Sequence, residues 1–433
     1  MVGSRFVDEL VTRASGVQVT VMGAEEYEPY NRVLLSDVVA GKTDVASLTL
    51  PSPAPAAWPA ADGQSSVDVR LGCAAVGIDR SARTVTGSDG RVVPYDVLVL
   101  ATGARARLPQ VPGLDDESGL PSGVHALRTL DDAREIVAAT VNAPRAVVLG
   151  GGVLGLEAAC GLARRGLRVT VVHRGPHLMD RQLDAAAAEA VVHGLAHLGV
   201  EHRVGAVTER VVVRERAVRG VRLADGELLD AELLVLTTGT VQEVEVAAAA
   251  GIEVRRGVVV DVHGVTSDPA IMAIGDCAEP PEGATGLIAQ GWDQARRLAR
   301  RLADGWATVE DASGIPGSRA PAPVADAPQH GGDVVRVKAW GLEVVALGVC
   351  GPAGGREPGR RTVRLSDPDV GRHIEVVVRD GVVVGATCVG AGGVGADLVT
   401  AYTRRTPAPT DPAHLLVRAA RGAAEVADEP SPT

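Results

Sequence analysis

Short valine- and leucine-rich runs alternate along the chain with longer stretches in which alanine, leucine and arginine recur at helical spacing, as far as about residue 310. Strands covered on both faces read as continuous apolar runs, and crossover helices read with a period near 3.6, so the alternation predicts parallel α/β layers. Strands are expected at 17–22, 97–101, 146–149, 168–172, 233–236 and 271–274, and helices at 4–14, 155–165, 184–198 and 293–303. Beyond residue 333 the period falls to two. VRVKAWGLEVVALG, RTVRLSDPDVGRHIEVVVRD and GVVVGATCVG alternate like antiparallel strands, and Asp380-Gly381 is a good hairpin turn. PSPAPAAWPAADG at 51–63 is expected as a loop and GIPGSRAPAPVADAPQHGGD at 314–333 as a linker, with a disordered tail after about residue 420.

At 433 residues the chain has room for two to four domains. Aromatic residues make up only 2% against 46% hydrophobic, so the cores must be aliphatic. Nearly all of the 43 basic residues are arginine, the lysines being Lys42 and Lys338, which reads most simply as codon bias. A net charge of −11 argues against a general binder of nucleic acid or anionic membrane. The five cysteines (Cys73, Cys160, Cys277, Cys350, Cys388) show no C-x-x-C and no metal-ligand spacing, so no redox disulfide, iron–sulfur cluster or metal site is expected. No basic-then-apolar leader precedes Phe6 and no run of about 18 apolar residues occurs, which places the protein in the cytoplasm, without a membrane partner.

The strongest motif is RAVVLGGGVLGLEAACGLARRGLRVTVVHR. Gly150, Gly152 and Gly155 form G-x-G-x-x-G after an apolar strand, with a helix and a second strand following. The first glycine permits the tight turn and the second admits the pyrophosphate to the backbone. The third lets helix and strand pack closely, and the helix N-terminus faces the phosphate charge. Where NAD sites usually carry an acid for the ribose 2′-hydroxyl, this chain has His173 and Arg174. Either the pair accepts the 2′-phosphate of NADPH or both side chains point to solvent.

The opening, MVGSRFVDELVTRASGVQVTVMGAEE, reads as the later part of a second such unit. Met1-Val2-Gly3 fits the last three positions of the fingerprint, a helix and strand follow, and Glu25 (or Glu26) stands at the ribose-binding position. The first strand and first two glycines of that unit are then expected upstream of Met1, through an internally called start codon. LVLATG closes a strand at Ala101-Thr102-Gly103, and IMAIGDCAE closes another at Gly275-Asp276, where a carboxylate suits a ribityl hydroxyl.

On these motifs the chain resembles the two-dinucleotide-binding-domain flavoproteins, pyridine-nucleotide:flavin oxidoreductases lacking the redox disulfide. It is most similar to the FAD-containing, NAD(P)H-oxidising part of assimilatory nitrite and nitrate reductases, and to rubredoxin and ferredoxin reductases. EPYNRVLLSDVVAGK (28–42), HRGPHLMDRQLD (173–184) and LSDPDVGRHIEVVVRDGVVVGA carry the likeness to the nitrite-reductase branch. The resemblance implies an α/β fold with two Rossmann-like domains, one for FAD (1–120 with 236–312, lacking its first strand) and one for NAD(P) (121–235). A linker (313–333), a small α+β C-terminal domain (334–420) and a tail (421–433) complete it.

It also implies that Gly3, Glu25, Arg32, Ala101, Thr102, Gly103, Gly275 and Asp276 contact FAD. Gly150, Gly152, Leu154, Gly155, His173, Arg174 and Gly239 would line the NAD(P)H site. Trp292 would lie near the flavin edge or serve as a core or interface residue. Glu157 matches a glutamate that pairs with a lysine near the flavin in the ferredoxin-reductase branch, but Asp37 occupies the lysine position. TTGTVQEVEV lacks the usual Arg-Pro-Asn after its glycine, and Cys277 is expected to pack rather than react. The implied activity is hydride transfer from NAD(P)H to FAD with onward electron transfer, the protein supplying position and electrostatics. Its partner would be a nitrate or nitrite reductase subunit or a small iron–sulfur or rubredoxin-type carrier, and the chain a monomer or homodimer. The alternatives are a stand-alone rubredoxin or ferredoxin reductase, and a flavin-free, inactive nucleotide-binding module.

Overall fold

A computed structural model describes residues 1–50, 65–114, 119–310, 333–349 and 359–417. The expected Pro/Ala loop at 51–63, nearly all of the linker, the tail and Cys350 lie outside them. The described residues form two compact units, Met1–Gly150 with Thr208–Asp333, and Gly151–Val207 with Val334–Thr433.

In the first unit, the helix Val2–Val11 leads into the strand Gln18–Met22, which pairs in parallel with Ser66–Arg70. Leu98–Leu100 pairs in parallel with Ile271–Ala273. Among the described residues, these two ladders remain separate two-stranded sheets. Both nevertheless share one aliphatic core. Phe6, Val7 and Leu10 of the first helix pack with Val17, Val67, Met272 and Ile274, and with Ala295, Leu298 and Ala299 of the helix Ile288–Glu310. Burying aliphatic surface contributes about 25 cal/mol per Å2, and the alanines let the two helices approach closely.

A second layer of the same unit is Val124–Ala126, Leu233–Leu236 and Arg145–Leu149, parallel, with Leu233–Leu236 in the middle and all four of its residues buried. The central position explains the unbroken Leu-Leu-Val-Leu, since neither face meets water. The helix Leu130–Ala139 starts at a capping box in which Thr129 accepts from the Asp132 N–H and Asp132 accepts from the Thr129 N–H. The unit also holds two antiparallel three-stranded sheets, 75–79, 84–87 and 92–94, and 208–214, 217–223 and 228–230, and two short strand pairs, 104–106 with 240–242 and 258–259 with 278–279.

The second unit begins with the helix Val153–Arg164 and the parallel pair Arg168–Val172 and Val200–Arg203, joined through the helix Ala185–His197. Its larger part is a five-stranded antiparallel sheet in the order 335–337, 344–348, 382–389, 372–379, 360–367. The helix Gly392–Arg404 packs on it, burying Leu398 and Tyr402 against Leu347, Ile374 and Val376. The central hairpin turns at Asp380-Gly381, both with positive φ (49° and 74°), which is the twist a two-residue turn requires.

The predicted strands and helices are all present, with ends displaced by a few residues. The largest displacement is at the last helix of the α/β part, which runs over Ile288–Glu310 rather than 293–303. No described helix is long and apolar enough to cross a membrane.

Candidate functional site

In the first unit most of the expected FAD-contacting residues follow strand ends, while Gly3 lies in the first helix and Arg32 opens the short 3-10 helix Arg32–Leu34. Glu25, just past Gln18–Met22, accepts from the Tyr30 hydroxyl (2.6 Å) and from Arg32. Burial, and then the Glu25 carboxylate, push the Tyr30 pKa well above its usual value, so the hydroxyl stays a donor at every physiological pH. Its oxygen in turn accepts from the Leu130 N–H (3.0 Å). Arg32 stacks over the Tyr30 ring and donates to the Arg128 carbonyl (3.3 Å). Arg128 donates from Nη2 to Asp276 (2.5 Å) and from Nε to the Ala104 carbonyl (2.8 Å). Glu25 and Asp276, far apart in the chain, are thus joined through two arginines. Tyr30 stands inside the 28–42 motif without a role read from it, and Arg128 lies outside the motifs. The only local signal for Arg128 is that it precedes the capping threonine.

The glycines sit where close approach demands them. A Cβ on Gly3 would stand 3.1 Å from the Cβ of Ala101, so helix and strand touch there. Gly275 (φ +77°) lies against Val2, and its N–H donates to Gln294 (2.8 Å). Gly103 (φ +75°) and Gly239 (φ +101°) both face open space. Thr102 Oγ1 donates to the Glu243 carbonyl (2.6 Å), and the Glu243 N–H returns a bond to the Gly103 carbonyl (3.0 Å). Trp292, in the second turn of Ile288–Glu310, is 39% exposed. Asp37 pairs with Lys42 (3.3 Å). Cys277 is fully buried and its Sγ donates to the Ile274 carbonyl (3.3 Å), and burial pushes the thiol pKa up, away from reactive thiolate.

The second glycine fingerprint begins where the first unit ends. Gly150 has φ +116°, and a Cβ there would sit 2.4 Å from the Thr237 carbonyl oxygen, a contact open only to glycine. Thr237 Oγ1 bonds the Leu149 and Gly150 carbonyls (3.0 Å each) and holds the turn.

In the second unit, Gly152 caps the helix Val153–Arg164 with no side-chain bond, and a Cβ there would meet nothing within 4 Å. The first helical N–H groups therefore have room for an anion beside them. Leu154 is 36% exposed on that first turn, and Gly155 is buried. His173 follows the strand Arg168–Val172. Its Nδ1 accepts from the Gly151 N–H (3.2 Å), which puts the proton of the neutral ring on Nε2. Nε2 lies 3.2 Å from Asp180, within ion-pair range but without hydrogen-bond geometry. Arg174 is exposed. Glu157 is buried and accepts from the Lys338 backbone N–H (2.8 Å), a tie from the helix to the first strand of the antiparallel sheet.

The chain carries one full glycine fingerprint at 150–155, Gly3 at the place of the last glycine of a second, and a carboxylate, Glu25, past a strand. The model of the pyridine nucleotide-disulphide oxidoreductase family matches residues 3–296. The chain belongs to that family. Membership makes it an oxidoreductase of the pyridine-nucleotide type. The chain is 32% identical over 393 residues to nitrite reductase [NAD(P)H] of Bacillus subtilis (strain 168), covering 90% of this chain and 44% of that protein. It is 32% identical over 303 residues to the assimilatory nitrate reductase electron transfer subunit of the same organism, covering 70% and 38%. Rubredoxin-NAD(+) reductase of Pseudomonas putida is 36% identical over 260 residues, covering 60% and 65%. Among solved structures, the putidaredoxin reductase in its covalent complex with putidaredoxin superposes with a TM-score of 0.77 at 25% identity, covering 96% of this chain and 93% of that one. The chain thus spans less than half the length of the nitrite and nitrate reductase proteins it resembles.

Proposed function

We propose that the protein is an FAD-dependent NAD(P)H oxidoreductase serving as a cytoplasmic electron-transfer component of nitrate or nitrite assimilation. The observation that carries the nucleotide reading is Gly152, which opens onto the start of the helix Val153–Arg164 with no side-chain cap. That cradle fits a pyrophosphate, because a side chain at Gly152 would fill the space the phosphate takes. On the flavin side, Glu25 and Asp276 fit as acceptors for sugar and ribityl hydroxyls. Each carboxylate is held by an arginine yet keeps lone pairs to spare.

Bound FAD would take a hydride from NAD(P)H and release electrons singly. The chain's own residues orient and tune. Arg32 and Arg128 fix the two carboxylates, Gly3 and Ala101 bring helix and strand together, and His173 and Arg174 meet the ribose end of the nicotinamide nucleotide. The match to nitrite reductase extends over 90% of this chain and so takes in the antiparallel sheet, whereas the match to rubredoxin reductase stops at 60%. This favours the nitrite reductase branch. The stand-alone rubredoxin or ferredoxin reductase reading rests on the higher identity within the shorter match.

The test is reduction of the FAD-loaded chain by NADH or NADPH, followed by turnover with a nitrate reductase subunit, a nitrite reductase module, a ferredoxin and a rubredoxin. Faster turnover with the first two supports the assimilation role, and faster turnover with the small carriers replaces it. A chain that takes up no FAD and oxidises neither coenzyme sinks both readings.

A further inference from the structure

The second unit holds a polar cluster that the redox reading leaves unused. Asp184, His373 and Glu375 each bring a ligand atom within 4.8 Å of the others. Asp184 caps the helix Ala185–His197, its Oδ1 accepting from the Ala187 N–H (2.8 Å). His373 and Glu375 are alternate residues of Arg372–Arg379, so both side chains leave the same face of that strand. His373 is fully buried and Glu375 nearly so, at 3% exposure.

Three features distinguish the cluster from an ordinary ion-pair network. His373 Nδ1 lies 3.2 Å from Ser366 Oγ, its cross-strand neighbour, while Nε2 is buried without a hydrogen-bond partner among the described residues. A buried polar nitrogen left bare loses its hydration without replacement, so native structures rarely keep one without a ligand. An imidazole that uses one nitrogen for a fixed hydrogen bond and leaves the other bare is the arrangement of a metal-binding histidine. Next, the charged groups facing His373 are two carboxylates and one guanidinium, an excess of one negative charge in a buried place. Finally, Arg364 touches one oxygen of each carboxylate, Glu375 Oε2 and Asp184 Oδ2 (3.0 Å), the sort of contact that orients carboxylate ligands.

We propose that Asp184, His373 and Glu375 bind one first-row divalent cation, and that Arg364 and Ser366 position them. One imidazole with two carboxylates suits Zn2+ or Mn2+ better than Ca2+ or a soft, thiolate-seeking ion. Ligands about 2.0–2.2 Å from such an ion stand about 3–4 Å apart, so the cluster closes with side-chain shifts of about an ångström. The ion ties the start of the helix Ala185–His197 to the antiparallel sheet. The role is structural and independent of the redox reading.

The test is calorimetric titration of the purified full chain, stripped with EDTA, with ZnCl2 and separately MnCl2. His193 and His197, whose Nε2 atoms lie 2.7 Å apart on the exposed face of that helix, would take up the same ions. The background is therefore H193A/H197A. One equivalent of either ion should bind there and raise the unfolding midpoint, and both effects should weaken at least tenfold in affinity in D184N and in H373Q. Asparagine keeps the helix cap, so D184N separates the lost ligand charge from a lost cap. Absence of binding of both ions in the background, or undiminished affinity in D184N, overturns the proposal even should H373Q fail to fold.

Discussion

The two helix-then-strand segments of this chain, Val2–Met22 and Val153–Val172, follow one plan and finish it with opposite chemistry. At the first, the strand Gln18–Met22 leads to Glu25, a carboxylate held between a tyrosine hydroxyl and Arg32. At the second, the strand Arg168–Val172 leads to His173, an imidazole held by the Gly151 N–H, with the exposed Arg174 beside it. The glycines Gly3 and Gly150 allow close packing at each, while the strand-end residues differ in charge and, on the proposed reading, in the ligand group they would meet. A carboxylate favours a bare diol. An imidazole and a guanidinium leave room for a phosphate. Backbone rules therefore recur between the two segments, and the polarity at the strand end does not.

The sharpest way to break the comparison is at the turn itself. Gly150→Ala places a methyl 2.4 Å from a backbone oxygen at φ +116°. Because strand pairing fixes Thr237, neither group can yield, and a cost of about 3 kcal/mol or more is expected. Urea unfolding monitored by far-ultraviolet circular dichroism measures it. A midpoint within error of the parent would show that the turn can flatten.

Next in size is Glu25→Gln, which removes the charge that Arg32 and Tyr30 hold. Loss of a charged hydrogen-bonding group at about 1.5–3 kcal/mol corresponds to a tenfold or greater rise in the FAD Kd, while the NADPH to NADH preference stays unchanged. Fluorescence titration of stripped protein reads the first and steady-state kinetics the second. An unaltered FAD Kd would remove Glu25 from the site. Arg174→Ala should do the reverse. It should lower kcat/KM for NADPH about tenfold relative to NADH and leave FAD affinity alone, in line with one exposed charge-assisted contact to a phosphate. Equal loss with both coenzymes would mean that Arg174 meets the shared pyrophosphate instead.

Much of this was legible in the sequence because glycine spacing, apolar strands and the Asp380-Gly381 turn report local backbone geometry, and local geometry is what sequence encodes most directly. The strand ends at Leu149 and Val172 and the polarity of their successors came from that source. Tyr30 and Arg128 were not legible, since their importance arises only when the chain brings residues 25, 32, 128 and 276 together. The cluster of Asp184 with His373 and Glu375 was missed for the same reason. Nearly 190 residues separate its members, and a search for metal sites through cysteine spacing passes over a histidine and two carboxylates. Glu157 shows the converse: its motif position suggested a partner near a flavin, and the structure gives it the Lys338 backbone N–H.

The smallest predicted effect comes from Gly3, the glycine whose counterpart in the second fingerprint is Gly155. Gly3→Ala sets two opposing contributions against each other. Alanine in place of glycine within a helix gains about 0.5–1 kcal/mol, and Gly3 is the second residue of Val2–Val11. Against that, the new methyl stands 3.1 Å from the Cβ of Ala101, closer than ordinary van der Waals contact, so helix and strand must part by a few tenths of an ångström. Small overpacking of this kind costs about 1 kcal/mol or more, and helix and strand are both anchored in the same aliphatic core. The net should be a loss of no more than about 1 kcal/mol. Because the crowding belongs to one pair of methyl groups, Ala101→Gly in the Gly3→Ala background should recover most of what the contact costs. A double-mutant cycle by thermal unfolding then gives a coupling of opposite sign to the single loss. Zero coupling would mean that Gly3 is needed for something other than its closeness to Ala101, and the likeness between the two fingerprints would stop at their sequences.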